Sequence, residues 1–175
     1  NGGELQEALR AAALFFDDAY FSPPPMTARA APFHLARGAA ADDATPLCYT
    51  ANSRGEFTDH DVAEFRTDPR YPRAPDGAAK RPPTEVVLLA NRGTASAAEA
   101  FASALRDNGA ATLVGERTFG KGLVQHAFPL PDGGSLRLTV AELLSPRQRH
   151  LAPATLDDLR DPTATRGGLA PDRGL

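Results

Sequence analysis

The sequence predicts an α/β domain, and three observations carry that reading. Val86-Val87-Leu88-Leu89-Ala90 is a short continuous apolar run, the pattern of a strand covered on both faces. A segment from Ser96 to about Asn108 follows, with Ala100, Phe101, Ala104 and Leu105 on one helical stripe, and Ala111–Gly115 is apolar again. Strand, helix and strand at these lengths make a right-handed parallel crossover, a βαβ unit. Beyond it, Gly122–Leu130 and Ser135–Leu144 flank Pro131-Asp132-Gly133-Gly134, which reads as a C-terminal β-hairpin.

Taken in order, the first element is a helix from Glu4 to about Phe16. Leu5, Leu9, Ala12, Ala13 and Phe16 recur at helical spacing, while Glu4, Gln6, Glu7 and Arg10 take the other face. Pro23-Pro24-Pro25 stops any continuation. From about 22 to 83 prolines are dense and periodicity is weak, so this stretch is read as a long irregular insertion, with a short strand near Leu47–Ala51 and a short helix near Asp59–Arg66. Its middle is expected to be a surface excursion that adds little to the core. Asn91–Ala95 turns the chain into the second helix, and Asn108-Gly109 is a C-terminal stop. In the last strand Leu136, Leu138 and Val140 alternate with Arg137, Thr139 and Ala141, the period of a half-buried strand. After Pro146 the sequence is polar and irregular, and no internal repeat is present.

Composition bounds the function. The 175 residues suit one domain. A net charge of −3 without a Lys/Arg run gives no footprint for nucleic acid or a polybasic membrane patch. No apolar run reaches the ~20 residues of a membrane-spanning helix. The single Cys48 excludes an intrachain disulfide and sits in no catalytic motif. His60 and Glu64 are four apart but lack a third metal ligand; His34, His126 and His150 have no Asp/Ser pattern beside them. No phosphate loop or dinucleotide fingerprint is present.

The chemistry concentrates on Ser96 and Lys121. Ser96-Ala97-Ala98-Glu99 spells a capping box, a purely structural role. A serine at a strand-to-helix turn also sits beside free backbone N–H groups, which suit a developing oxyanion, and the small Ala95, Ala97 and Ala98 let a substrate backbone approach. Serine needs a base. Lys121, in Phe119-Gly120-Lys121-Gly122 with Leu123 and Val124 beyond, is expected to be half-buried, which would disfavour its charged form and suit it to that task. If Gly122–Gln125 is extended, Lys121 and Gln125 share parity and face the same side, so the neutral amide can orient the lysine.

These residues fall in two motifs that resemble the tail-specific, or carboxyl-terminal processing, proteases of serine peptidase family S41. The family reads V-x-L-x-N-x-G-[ST]-A-S-A-S-E and later T-F-G-K-G-x-V-Q. This chain has Asn91, Gly93, Thr94, Ala95, Ser96, Ala97 and Glu99, then Thr118, Phe119, Gly120, Lys121, Gly122, Val124 and Gln125. Asp132-Gly133, Leu138-Thr139, Ser145-Pro146, the terminal Gly168-Leu169-Ala170-Pro171-Asp172 and the opening Asn1-Gly2-Gly3 are similar to further family motifs; Ala98 and Ala100 replace a usual Ser and a usual Ile or Leu.

The resemblance implies a crotonase/ClpP-like protease core, present as its C-terminal part, with a buried strand and a PDZ-like peptide-binding module upstream of Asn1. It implies Ser96 as nucleophile, Lys121 as general base, Gln125 as the residue positioning the lysine, and the backbone N–H groups of Ala97 and Gly3 as oxyanion donors. The implied reaction is cleavage of a protein substrate near an exposed C-terminus, with no metal or organic cofactor, in the bacterial periplasm or the plastid thylakoid lumen. Two alternatives stand beside it: a non-catalytic ligand-binding module on the same fold, like the retinoid-binding repeats, and an acyl-transfer enzyme of the wider crotonase-like group. The substrate and oligomeric state are not legible in the sequence.

Overall fold

The computed structural model describes residues 2–16, 45–61, 86–153 and 167–174. Helix α1 runs over Leu5–Ala13 and tightens into a 3-10 turn at Leu14–Phe16, burying Leu9, Ala12, Ala13 and Phe16. Helix α2 spans Ala97–Asp107. The two helices share a core in which Leu9, Ala12, Ala13 and Phe16 meet Ala100, Ala104 and Leu105, and the Phe15 and Phe101 rings meet edge to face at 6.0 Å. Alanines on the facing stripe let the backbones approach.

The strands form two sheets. In the first, β3 (Val87–Ala90) pairs in parallel with β4 (Thr112–Gly115), with α2 between them in sequence. The expected βαβ unit is therefore present. A two-residue strand, β7 (Arg173–Gly174), extends this sheet in parallel on the far side of β4; an element so short carries no periodic signal. Its approach is latched by Asp172, whose carboxylate accepts from Arg106 Nε and from the Leu113 amide, both at 2.9 Å.

The second sheet is antiparallel, in the order β2-β1-β6-β5. Strands β5 (Leu123–Pro129) and β6 (Ser135–Leu144) form the expected hairpin, with the turn closed by Leu130 N–H to Gly134 O at 2.8 Å. Strands β1 (Pro46–Asn52) and β2 (Phe57–Asp61) form another hairpin, and β1 pairs with the end of β6.

The short strand expected near Leu47–Ala51 is present as β1, and Leu47 and Cys48 on it are fully buried in the core. Other expectations are corrected here. Asp59–Asp61 pair with β1 instead of opening a helix, because the ladder to β1 satisfies their backbone groups; 62–66 lie outside the described residues, as does the rest of that segment. Strand β3 is covered on one face only: Leu89 is 78% and Val87 50% exposed, while Ala90 is buried. In β6 the alternation at Leu136, Leu138 and Val140 lies on an exposed ribbon, and burial begins only at Leu143 and Leu144.

Candidate active site

The site is built on the turn between β3 and α2. Asn91 accepts from the Gly93 amide at 2.8 Å, and Thr94 N–H returns to Asn91 O at 2.9 Å. This closes an Asx-type turn that delivers Ser96 to the start of α2. Arg92 at the turn's tip pairs with Glu116 at 3.3 Å, which holds that carboxyl below its usual range.

Ser96 adopts φ 57°, ψ −124°. Helix N-caps ordinarily sit in the β region, and positive φ is costly for a residue with a Cβ. The glutamate arm of the capping box does form, with Ser96 N–H donating to Glu99 Oε2 at 2.8 Å. Capping and the unusual backbone therefore coexist, and capping does not account for the strain. The Ala98, Glu99 and Ala100 amides turn back to the carbonyls of Ala95 and Ser96, leaving the Ala97 amide without an acceptor among the described residues. Gly2 lies beside this turn: a Cβ there would stand 3.4 Å from Ala95 O and 3.7 Å from Ser96 Cβ, whereas Gly3 faces open space.

One side chain joins the serine turn to the lysine loop. Glu99 is wholly buried. Besides the Ser96 amide, it accepts from Thr118 Oγ1, from the Gly120 amide at 2.8 Å and from the Lys121 amide at 2.9 Å. Four donors fill the acceptor positions of both oxygens. The amides of Ser96 and Lys121 share Oε2, so they are no farther apart than two hydrogen bonds. Phe119 N–H adds a direct tie to Thr94 O at 2.9 Å. The sequence identified Glu99 only as a capping partner; its reach to 118–121 depends on a contact no spacing rule encodes.

The lysine loop is clamped from two further sides. The Thr118 hydroxyl accepts from Leu169 N–H at 2.7 Å, and Thr118 N–H donates to Leu169 O at 3.0 Å. A Cβ on Gly122 would fall 2.3 Å from Ala152 N, and one on Gly120, at φ 85°, would fall 3.0 Å from the backbone of Gly167 and Gly168. The glycines flanking Lys121 are thus required by backbone-to-backbone packing.

Lys121 itself is exposed, as are Phe119 and Leu123, which corrects the half-buried environment expected from the sequence. Of the apolar neighbours, Phe119 and Leu123 turn outward with it, while Val124 packs against the core formed by Leu113, Leu143 and Leu151. Gln125 is exposed on β5, opposite Thr139. Leu123–Gln125 belong to β5, and Gly122 O accepts from Leu143 N–H in the same register, with Lys121 just before the strand. No cluster of three metal-ligating side chains occurs among the described residues. His60 sits 3.4 Å from Thr50 Oγ1, His126 meets Phe128 edge to face at 4.7 Å and His150 pairs with Glu142.

A family model described as peptidase family S41 matches residues 1–158. The chain belongs to peptidase family S41. Among similar S41 relatives, a carboxyl-terminal-processing protease of Picosynechococcus sp. is 44% identical over 105 residues, covering 59% of this chain and 22% of that protein. The chloroplastic carboxyl-terminal-processing peptidase 3 of Arabidopsis thaliana is 57% identical over 61 residues, covering 35% and 12%. A photosystem II D1 C-terminal processing protease superposes with a TM-score of 0.60 at 26% identity, over 100% of this chain and 32% of that one. The chain therefore spans under a quarter of the length of these curated relatives, and its mixed α/β architecture is that of an S41 protease core.

Proposed function

We propose that this chain carries the catalytic dyad of a serine peptidase that cleaves protein substrates near their C-terminus. Ser96 Oγ attacks the scissile carbonyl carbon while the Lys121 amine takes the hydroxyl proton. The oxyanion that forms is received by the Ala97 amide and by a glycine amide of the Gly2-Gly3 turn; Gly3 was expected from the motif, while Gly2 has the closer backbone. Lys121 then returns the proton to the departing amine as the C–N bond breaks. In the second half it takes a proton from water, whose oxygen attacks the acyl carbon, and it returns that proton to Ser96 Oγ as the ester bond breaks and the acid product leaves. Gln125 orients the lysine.

The observation that carries this reading is the strained Ser96 backbone, held on the same Glu99 oxygen that holds the Lys121 amide. Backbone strain that capping does not explain is characteristic of functional positions. The exposed amine becomes a competent base once bound substrate removes it from water. The S41 membership supports peptide hydrolysis, and the cyanobacterial and chloroplastic relatives support an extracytoplasmic or thylakoid-lumen setting. Among the described residues no helix is long and apolar enough to cross a membrane. A PDZ-like module in the complete protein would deliver the substrate's tail.

The test is mutational. In the complete protein, Ser96→Ala and Lys121→Ala each abolish cleavage of an unstructured C-terminal tail, and the double variant is no worse, since groups acting as a unit are non-additive. Lys121→Arg also fails, because a guanidinium stays protonated. Activity within about tenfold of wild type in either single variant overturns the assignment.

A further inference from the structure

Helix α2 carries Ser96 and Glu99 at its N-terminal end, and it closes on two neighbours of opposite charge, Arg106 and Asp107. Each grips a different remote segment. Arg106 holds the Asp172 carboxylate through Nε at 2.9 Å and Nη2 at 2.8 Å. Asp107, whose side chain is buried, accepts from Arg149 Nη2 at 2.6 Å. Taking that carboxylate out of water carries a desolvation penalty that an ion pair on an open helix end would not incur.

The two gripped segments are the ones that enclose the lysine loop. Beyond Arg149 the chain reaches Leu151 and Ala152, whose backbone lies against Gly122. Ahead of Asp172 lie Gly167, Gly168 and Leu169, whose backbone lies against Gly120 and exchanges hydrogen bonds with Thr118. A Cβ on Gly168 would run into Thr118 O, so this contact leaves the loop no room on that side. Gly168 N–H donates to Leu151 O at 2.9 Å, which joins the two arms beside the loop. Leu151 and Leu169 also share a buried cluster with Ala102 of α2. Both arms are short: two residues separate Arg149 from Ala152, and two separate Leu169 from Asp172.

We propose that Arg106 and Asp107 are positioning residues: their ion pairs fix the arms that press on the lysine loop from both sides, and so set Lys121 against Ser96. The consequence for catalysis rests on the dyad reading. One helix then carries the nucleophile at one end and sets the place of the base from the other, about 16 Å away at 1.5 Å per residue. Glu99 ties the loop backbone to the serine turn, and the arms stop the loop on the faces that Glu99 does not reach. Such control matters because a displacement of about 1 Å can slow the chemistry by about a hundredfold.

The test uses the complete protein with Arg149→Ala and Asp172→Asn, and Leu47→Ala as a core variant outside both arms. Arg149→Ala strips a buried carboxylate of its partner. Asp172→Asn, at a partly exposed site, keeps an acceptor for the Leu113 amide and carries the test where the first variant does not fold. Cleavage kinetics on an unstructured C-terminal tail, chemical denaturation and amide exchange are measured on each. In both ion-pair variants kcat falls at least about tenfold while KM stays within about threefold, and exchange at the Gly120 and Lys121 amides rises at least about tenfold. A merely structural pair would behave like Leu47→Ala, which loses stability but keeps wild-type kcat and loop exchange. Wild-type kcat in either folded ion-pair variant overturns the proposal, as does unchanged exchange at Gly120 and Lys121. A fall in kcat that Leu47→Ala reproduces overturns it too. Lys121→Ala is scored separately: cleavage retained there sinks the dyad, and exchange at Gly120 and Lys121 then decides by itself whether the pairs hold the loop.

Discussion

Ser96 and Glu99 divide the work of the turn between them. Ser96 holds φ 57°, ψ −124°, a conformation that glycine adopts without a Cβ penalty. Replacing Ser96 by Gly should therefore give a protein more stable than Ser96→Ala by about 1 kcal/mol, with both inactive. Chemical denaturation of the two variants measures the difference; equal stability would show that the backbone relaxes at no cost. Glu99 tests the other half. A glutamine there keeps the shape but turns an N–H₂ toward two of four donors, leaving them unpaired in a buried site. Glu99→Gln should lose about 2–4 kcal/mol of stability and lower kcat at least about tenfold, because the Ser96 and Lys121 backbones lose their common anchor. Wild-type kcat in a folded Glu99→Gln protein would show that the anchor does not matter to the chemistry.

Among the elements, the loop over 118–122 is the one whose local sequence says least about its conformation. It has no regular structure, yet it is held by Glu99, by Thr94, by the strand-like exchange between Thr118 and Leu169, and by contact with Ala152. Gly122→Ala places a methyl 2.3 Å from Ala152 N, an overlap with backbone that only a shift of the loop relieves. The expected cost is about 1–3 kcal/mol, with a larger fall in kcat than in stability-corrected KM, read by steady-state kinetics at a temperature where the variant is folded. The helices and the β5–β6 hairpin were legible because each follows its own period: α1 shows Leu9, Ala12, Ala13 and Phe16 at helical spacing, and the hairpin carries Pro131–Gly134. In hairpin β1–β2 the first strand was legible near Leu47–Ala51 and the second was missed: Phe57–Asp61 is mostly polar and exposed and takes its conformation from pairing with β1.

At the scale of the molecule, burial is uneven. The helical core is closed around Leu9, Ala104 and Leu105, whereas the open face of β3 leaves Val87 and Leu89 in solvent. An exposed apolar face of this kind promotes association. Residues 1–175 expressed alone should sediment as concentration-dependent oligomers, and Leu89→Lys should shift them toward monomer while changing the unfolding free energy by less than about 0.5 kcal/mol. Monomeric wild type at high concentration would contradict this.

The sequence by itself determined the local elements with strong periodicity, the parallel β3–α2–β4 order, and the family, since each resides in residue types at fixed spacing. It also singled out Ser96 and Lys121. Only the tertiary structure decided that Glu99 fastens both to one carboxylate, that Gly120 and Gly122 are dictated by backbone approaches from 151–152 and 167–168, and that β5 ends the sheet order among the described strands. It also decided that Lys121 faces solvent where its apolar neighbours had suggested burial. The physical reason is common to all four. Hydrogen bonds to a buried carboxylate, steric contact between distant backbones, sheet order and solvent access depend on which remote segments arrive beside a residue, and no property of the residue's own neighbourhood in sequence carries that information.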